Sequence, residues 1–236
     1  MQTPSIYRAK ARESLQGQWG DAALATLVYM VIALICCAPS IPAALDQSAF
    51  GMSMWMSNSL NGLGFVLSIL LVWPLQYSLY NAFLALTRGS QASVWENTKS
   101  AFKRTYSVLL PAALLMYIII VLLSVITLGI AGIIFAYAYR MTPYVINDYP
   151  NLSAKEALKI SREMMKGHKW DLFVLDISFI GWWLLAIMTM GVGCLWLTPY
   201  QCTAAAHFYE DLRAEKIVDT DTPESETIEE VEAEEV

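Results

Sequence analysis

Residues 171–209 read DLFVLDISFIGWWLLAIM, then TMGVG, then CLWLTPYQCTAAAHFY. Two apolar runs, 171–188 and 194–209, flank a short break, Thr189-Met190-Gly191-Val192-Gly193. A helix crossing a bilayer needs about 20 mostly apolar residues, with a range of about 17–25. The first run meets that length, and the second borrows from its flanks. The stretch therefore predicts a transmembrane hairpin with a tight, glycine-containing turn.

The same pattern extends outward along the chain. Four further apolar runs lie at 22–45, 60–86, 108–126 and 130–147. The stretch 108–147 is too long for one span and breaks at Thr127-Leu128-Gly129. The expected fold is all-α: a polytopic transmembrane helical bundle of about six spans in three hairpins. Each hairpin is preceded by a short amphipathic cytoplasmic helix. The membrane domain is expected over 1–213, and 214–236 reads as an acidic, disordered cytoplasmic tail.

Composition agrees. The chain of 236 residues is 56% hydrophobic and 15% charged, against about 25% charged in a soluble domain. Its net charge of -6 hides a segregation. Of the 21 acids, nine lie in 219–236, a segment with no Lys or Arg, which leaves 12 against all 15 basic residues in the body. So acidic and self-repelling a segment, with few apolar groups to bury, predicts disorder. Cys36, Cys37, Cys194 and Cys202 all sit in apolar runs without CxxC spacing. They read as buried free thiols. No cleavable signal peptide is expected, because the first apolar run follows a basic amphipathic stretch and lacks a small-x-small cleavage site.

The basic residues orient the bundle. Arg8, Lys10 and Arg12 precede the first run; Arg88, Lys99, Lys103 and Arg104 follow the second. Lys155, Lys159, Arg162, Lys166 and Lys169 separate the fourth and fifth, and Arg213 and Lys216 follow the sixth. The connections near 46–59, 127–129 and 189–193 hold no Lys or Arg. The positive-inside rule then puts both termini in the cytoplasm, with Trp19, Trp95 and Trp170 as anchors at the inner interface.

The chain also looks like three copies of one unit, an amphipathic helix and then a hairpin. Thr3, Ser93 and Ser153 open the amphipathic stretches as candidate N-caps. Ser93-x-x-Glu96 and Ser153-x-x-Glu156 have the form of capping boxes. At an offset of 150, Arg12, Glu13, Gly17 and Asp21 match Arg162, Glu163, Gly167 and Asp171. At 62, Thr127 and Gly129 match Thr189 and Gly191; at 125, Pro74, Gln76 and Phe83 match Pro199, Gln201 and Phe208. Gly62 and Gly64 match Gly191 and Gly193 only at 129, so an insertion of four residues, about one helical turn, separates the registers. In 154–166, Ala154, Ala157, Leu158, Ser161, Met164 and Met165 share one face, opposite five charged residues and Lys166. The stretch 94–106 repeats this with Val94, Thr98, Ala101, Phe102 and Thr105. Such faces lie on a membrane surface or pack on the protein's own helices.

Asp176 and Arg140 are the charged residues within the expected spans. A charge there costs at least a few kcal/mol and has a partner or a function. Their similar depth suggests a pair pinning the fourth helix to the fifth; the functional alternative is proton or substrate coupling. Asp148, Glu210 and Asp211 read as interfacial and solvated. His168 and His207 are isolated, and neither has a second ligand at metal spacing. No Ser-His-Asp order, HExxH, Walker loop or GxGxxG occurs. No catalytic residue, metal or cofactor is expected, and no ligand-binding residue is assigned. Pro39, Pro42, Pro74, Pro111, Pro143 and Pro199 fall in or beside the runs. Transporters exploit such kinks, but the midplanes here are nearly all apolar.

The segment from Asp148 to the end of the sixth run carries a family likeness. It reads Ser161-Arg-Glu-Met-Met-Lys-Gly167-His-Lys-Trp170, Leu175-Asp-Ile-Ser-Phe-Ile-Gly-Trp-Trp183, Thr189-Met-Gly-Val-Gly193, Pro199-Tyr200 and Phe208-Tyr209-Glu210. This resembles the bacterial integral membrane family known as domain of unknown function 975, over residues 5–213. The resemblance implies a fold class, a bacterial origin and no activity. A looser likeness to the membrane domain attached to some glycerophosphodiesterases brings no hydrolase domain with it.

The sequence thus favours a bacterial inner-membrane protein acting as a non-catalytic scaffold or accessory factor. Its expected partners are membrane lipids and a protein met through the cytoplasmic loops or the acidic tail, not nucleic acid. The alternatives are a small transporter or channel using Asp176, and a membrane-embedded lipid-processing enzyme.

Overall fold

The structure is a computed structural model that describes residues 2–38, 54–90, 92–99, 111, 114–115, 130–149 and 152–220. The expected helix at 108–126 apart from three positions, the turn at 127–129, most of the first connection and residues 221–236 lie outside the described residues. Among the described residues every regular element is a helix. In chain order they are α1 (Pro4–Ser14), α2 (Trp19–Cys37), α3 (Met54–Leu67), α4 (Trp73–Thr87), α5 (Ile130–Ala138), α6 (Thr142–Asp148), α7 (Ala154–Met164), α8 (Lys169–Ile177), α9 (Ile180–Met188) and α10 (Cys194–Thr220).

Among the described residues three stretches are long and apolar enough to cross a membrane: Trp19–Cys36, Asn58–Thr87 and Lys169–Met188. Each turns several large apolar side chains outward. Leu34, Ile35, Leu184, Ile187 and Met188 are all more than half exposed, a surface that water would penalise.

Several of the expected spans are interrupted or extended. The run 130–147 is two helices, α5 and α6, parted at Tyr139-Arg140-Met141. Pro143 stands at the start of α6, where its missing N–H costs nothing. The run 171–188 breaks after Ile177 into α8 and α9. α3 and α4 join through a π-helical segment, Ser68–Val72, just before Pro74. Proline gives no hydrogen bond to the turn above it, and widening of the helix there accommodates the loss. α10 continues past 209 to Thr220, so the first part of the acidic tail is helical.

Some positions matched in sequence have the same local structure. Gly17 and Gly167 both adopt left-handed backbone, φ 81° and 83°, a conformation that costs an L-residue about 1–2 kcal/mol. The surrounding hydrogen bonds are copies at the offset of 150: Leu15 to Ala11 and Met165 to Ser161, Ala22 to Gln18 and Leu172 to His168. At the offset of 125, Ser78 donates to the Pro74 carbonyl and Thr203 to that of Pro199. Phe83 and Phe208 are both fully buried. Ser153 and Glu156 form the expected capping box. Thr3 occupies the N-cap of α1, but its side chain bonds Ser5 rather than the helix.

The amphipathic faces pack inward. Tyr7, Ala11 and Leu15 of α1 are buried against α10, where the Tyr7 ring lies 5.5 Å from Phe208. Ala157, Leu158, Ser161 and Met164 of α7 are buried, and α7 lies along α6. Ser161 donates to the Ala138 carbonyl at 3.2 Å, satisfying an end group of α5. Val94 and Thr98 are buried too, while Ala101, Phe102 and Thr105 lie outside the described residues. Each fully buried Leu or Phe contributes about 1.5–3 kcal/mol. α10 is the hub, touching α1, α2, α4, α7, α8 and α9.

Candidate functional site

Asp176 is the last residue but one of α8, beside the break in the fifth expected span. Its Oδ2 accepts from the Tyr137 hydroxyl at 3.1 Å and its Oδ1 from the Gln201 amide at 2.9 Å. The Gln201 carbonyl in turn accepts from the Trp183 indole at 3.1 Å. These bonds tie α5, α8, α9 and α10 together. Arg140 lies in the α5–α6 break. Among the described residues it forms no close ion pair with Asp176, the pairing expected from their depth, and Asp176 acts on it only at longer range, while Tyr137 and Gln201 supply the carboxylate's hydrogen bonds. Its electrostatic neighbours are Tyr80, Asp176, Tyr144 and Cys202. Tyr80, Tyr144 and Tyr209 form a contiguous aromatic column, with centroids 6.2 and 5.1 Å apart. Asn81 is buried nearby in sequence, and neither polar atom of its amide has a partner.

A second constellation joins the ends of α4 and α6 to the interior of α10. Arg88, just after α4, meets both Asp148 oxygens at 2.6 and 2.8 Å, and meets Glu210 at 2.6 Å. The Tyr209 hydroxyl donates to Asp148 at 2.9 Å, and Arg213 approaches it at 3.6 Å. The Asp148 side chain is only 5% exposed. Asp148 and Glu210 are therefore anchored, not freely solvated as expected from the sequence. Burial pushes the Asp148 carboxyl up, but the hydrogen bonds from Arg88 and Tyr209 and the charges of Arg88 and Arg213 outweigh it and hold it below its ordinary value. Arg88 and Arg213 are related by the offset of 125, five residues past the matched Phe83 and Phe208. Extending the repeat by those five positions would have found them.

Asp211 is also engaged: it accepts from the Tyr7 hydroxyl at 2.9 Å and lies 3.7 Å from Lys10. His207 bonds Ser14 at 2.9 Å, and His168 sits between Asp171 and Glu215 at 3.3 and 3.2 Å. Both histidines serve to hold the amphipathic turns against α8 and α10. Among the described residues no group of three His, Cys, Asp or Glu side chains is placed to hold a metal. Cys36, Cys194 and Cys202 are free thiols. Of the expected anchors, Trp170 is 69% exposed, Trp19 lies 6.4 Å from the Tyr200 ring, and Lys99 stacks over Trp95 at 4.8 Å.

A cavity of about 390 Å³ opens between α2, α9 and α10. Trp19, Trp182, Leu185, Trp196 and Leu197 form its walls, and Arg12 stands at one end. Beside it the Arg8 guanidinium donates to the Ser178 carbonyl at 3.3 Å, satisfying an acceptor released by the α8–α9 break.

Residues 111–216 match the model of a family described as a protein of unknown function (DUF975). The match covers α5 to most of α10, including Arg140, Asp148 and Asp176. No curated protein and no solved structure matches the chain.

Proposed function

We propose that this chain is a six-span protein of the bacterial inner membrane, with both termini in the cytoplasm, that works as a non-catalytic scaffold or accessory factor. The observation that carries this reading is how its groups are used. Asp176, Gln201, Arg88, Asp148 and Glu210 bond partners on other helices, while many large apolar side chains of α2 and α9 face outward. A surface of that kind is stable against lipid, and charges directed inward add cohesion rather than chemistry. Reporter fusions at residues 50, 128 and 190 test the layout, and a cytoplasmic signal at any of them overturns it. Native mass spectrometry of gently extracted protein tests the role. A stoichiometric protein or lipid companion is expected, and a bare protomer would count against an accessory role.

A transporter reading has one observation in its favour. Two expected spans break at 139–141 and after Ile177, on either side of the Asp176–Gln201 contact. Broken helices bearing intramembrane charge mark transport sites elsewhere. Proteoliposomes holding a pH dye separate the two readings: proton flux in the wild type, lost in Asp176→Asn, favours transport.

A further inference from the structure

The groove between α2, α9 and α10 is apolar along its length and cationic at one end. Trp182, Leu185 and Trp196 are each about half exposed along it. Ala186 and Leu197 are buried and contribute to its lining. Arg12 is exposed and forms none of the ion pairs among the described residues; neither Glu13 nor Asp21, the nearest acids in sequence, pairs with it. Arg8, close by, is held by the Ser178 carbonyl. An exposed guanidinium without a carboxylate, beside a slot walled by indoles, complements an anion carrying a hydrocarbon chain.

Size narrows the occupant. The cavity, about 390 Å³, is within the ~300–1,000 Å³ of sites that take small molecules. From Trp182 to Thr189, both on the lining, the wall advances about 10 Å at ~1.5 Å per residue. That suits a segment of one extended acyl chain. Guanidinium is suited to phosphate through its planar, forked donors.

We propose that this groove is a binding site for one anionic phospholipid, its phosphate on Arg12 and one acyl chain along Trp182, Leu185 and Trp196. The inference rests on the membrane placement proposed above and adds to it a ligand class and a location. Arg12 selects for charge, while the indoles and Leu185 hold the chain whatever the headgroup.

The test uses the full chain in phosphatidylcholine liposomes carrying equal fractions of either brominated-chain phosphatidylglycerol or brominated-chain phosphatidylcholine. Bromines in the groove quench the tryptophans lining it. Phosphatidylglycerol is expected to quench more strongly than phosphatidylcholine. Arg12→Gln lowers that preference about fivefold, equivalent to about 1 kcal/mol for one cation beside an anionic lipid. Arg12→Lys retains part of the preference, and Glu13→Gln, a change on the same helix, leaves it intact. Trp182→Phe with Trp196→Phe removes most of the excess signal. Equal quenching by the two lipids, or a preference unchanged in Arg12→Gln, overturns the proposal. So does a protein companion that Arg12→Gln releases in native mass spectrometry. The topology fusions fail independently of these results, so loss of the site and loss of the membrane layout are distinguishable.

Discussion

Asp148 is the last residue of α6, a position that reads in sequence as wet and unremarkable. In the structure Arg88 and Tyr209 close over it, and 5% of its side chain is left exposed. Removing one partner of a buried pair costs about 3–5 kcal/mol. The cost here is lower, because Arg88 is itself a third exposed and Glu210 still holds it. Asp148→Asn is expected to cost about 2 kcal/mol, read as a lowered melting temperature in detergent. Because the folded carboxyl titrates below its ordinary value, its contribution is complete above that ordinary value and is lost as pH falls through the lowered one. The melting-temperature advantage of the wild type over Asp148→Asn should hold from neutral pH to about pH 4 and shrink below it. Asn81 poses the opposite case. Its amide is buried with no partner, which costs about 1–3 kcal/mol. Asn81→Leu, similar in shape, should raise the melting temperature. A fall would mean the amide has a partner in the working protein.

At the scale of elements, turns and caps obey local chemistry. The capping box at Ser153 and the left-handed Gly17 and Gly167 appear where the residue types require them. The contact between α9 and α10 is set by Gly193, where a Cβ would come within 2.8 Å of the Ala186 backbone. The same Cβ would lie 3.0 Å from the Thr189 hydroxyl and 3.1 Å from the Ala186 Cβ. Gly193→Ala is therefore expected to push α9 from α10 and cost about 1–3 kcal/mol, as overpacked cores do. The same shift widens the groove, so cross-linking between cysteines placed at Leu185 and Trp196 should weaken. An unchanged cross-link would show that the two helices accommodate a methyl group. The breaks at 139–141 and after Ile177 were not legible, because apolar periodicity continues through both. They depend on Ser161 and Arg8, which come from distant α7 and α1 to satisfy freed carbonyls.

At the scale of the whole molecule, α10 gathers the repeats. α1 closes on it through Tyr7 and Leu15, and Lys10 and Ser14 add polar contacts to Asp211 and His207. Leu15 is fully buried, and Leu15→Ala should cost about 2–5 kcal/mol. That is enough to free α1, which limited proteolysis at the N-terminus would detect as faster cleavage with the remaining helices intact. Cleavage as slow as in the wild type would mean that α1 is held by its polar contacts alone. By itself the sequence determined the all-helical class, the apolar runs, the glycine turns and the likeness between the units. All of these follow from residue type and spacing over one or two helical turns. Which groups those units share was decided only in three dimensions. Asp176 went to Tyr137 and Gln201 rather than to Arg140, and Asp148 to Arg88 across 60 residues. The apolar faces of α1 and α7 went to neighbouring helices. The physical reason is that a carboxylate or an apolar face has several partners of equal chemical merit along a chain, and packing alone brings one of them within reach.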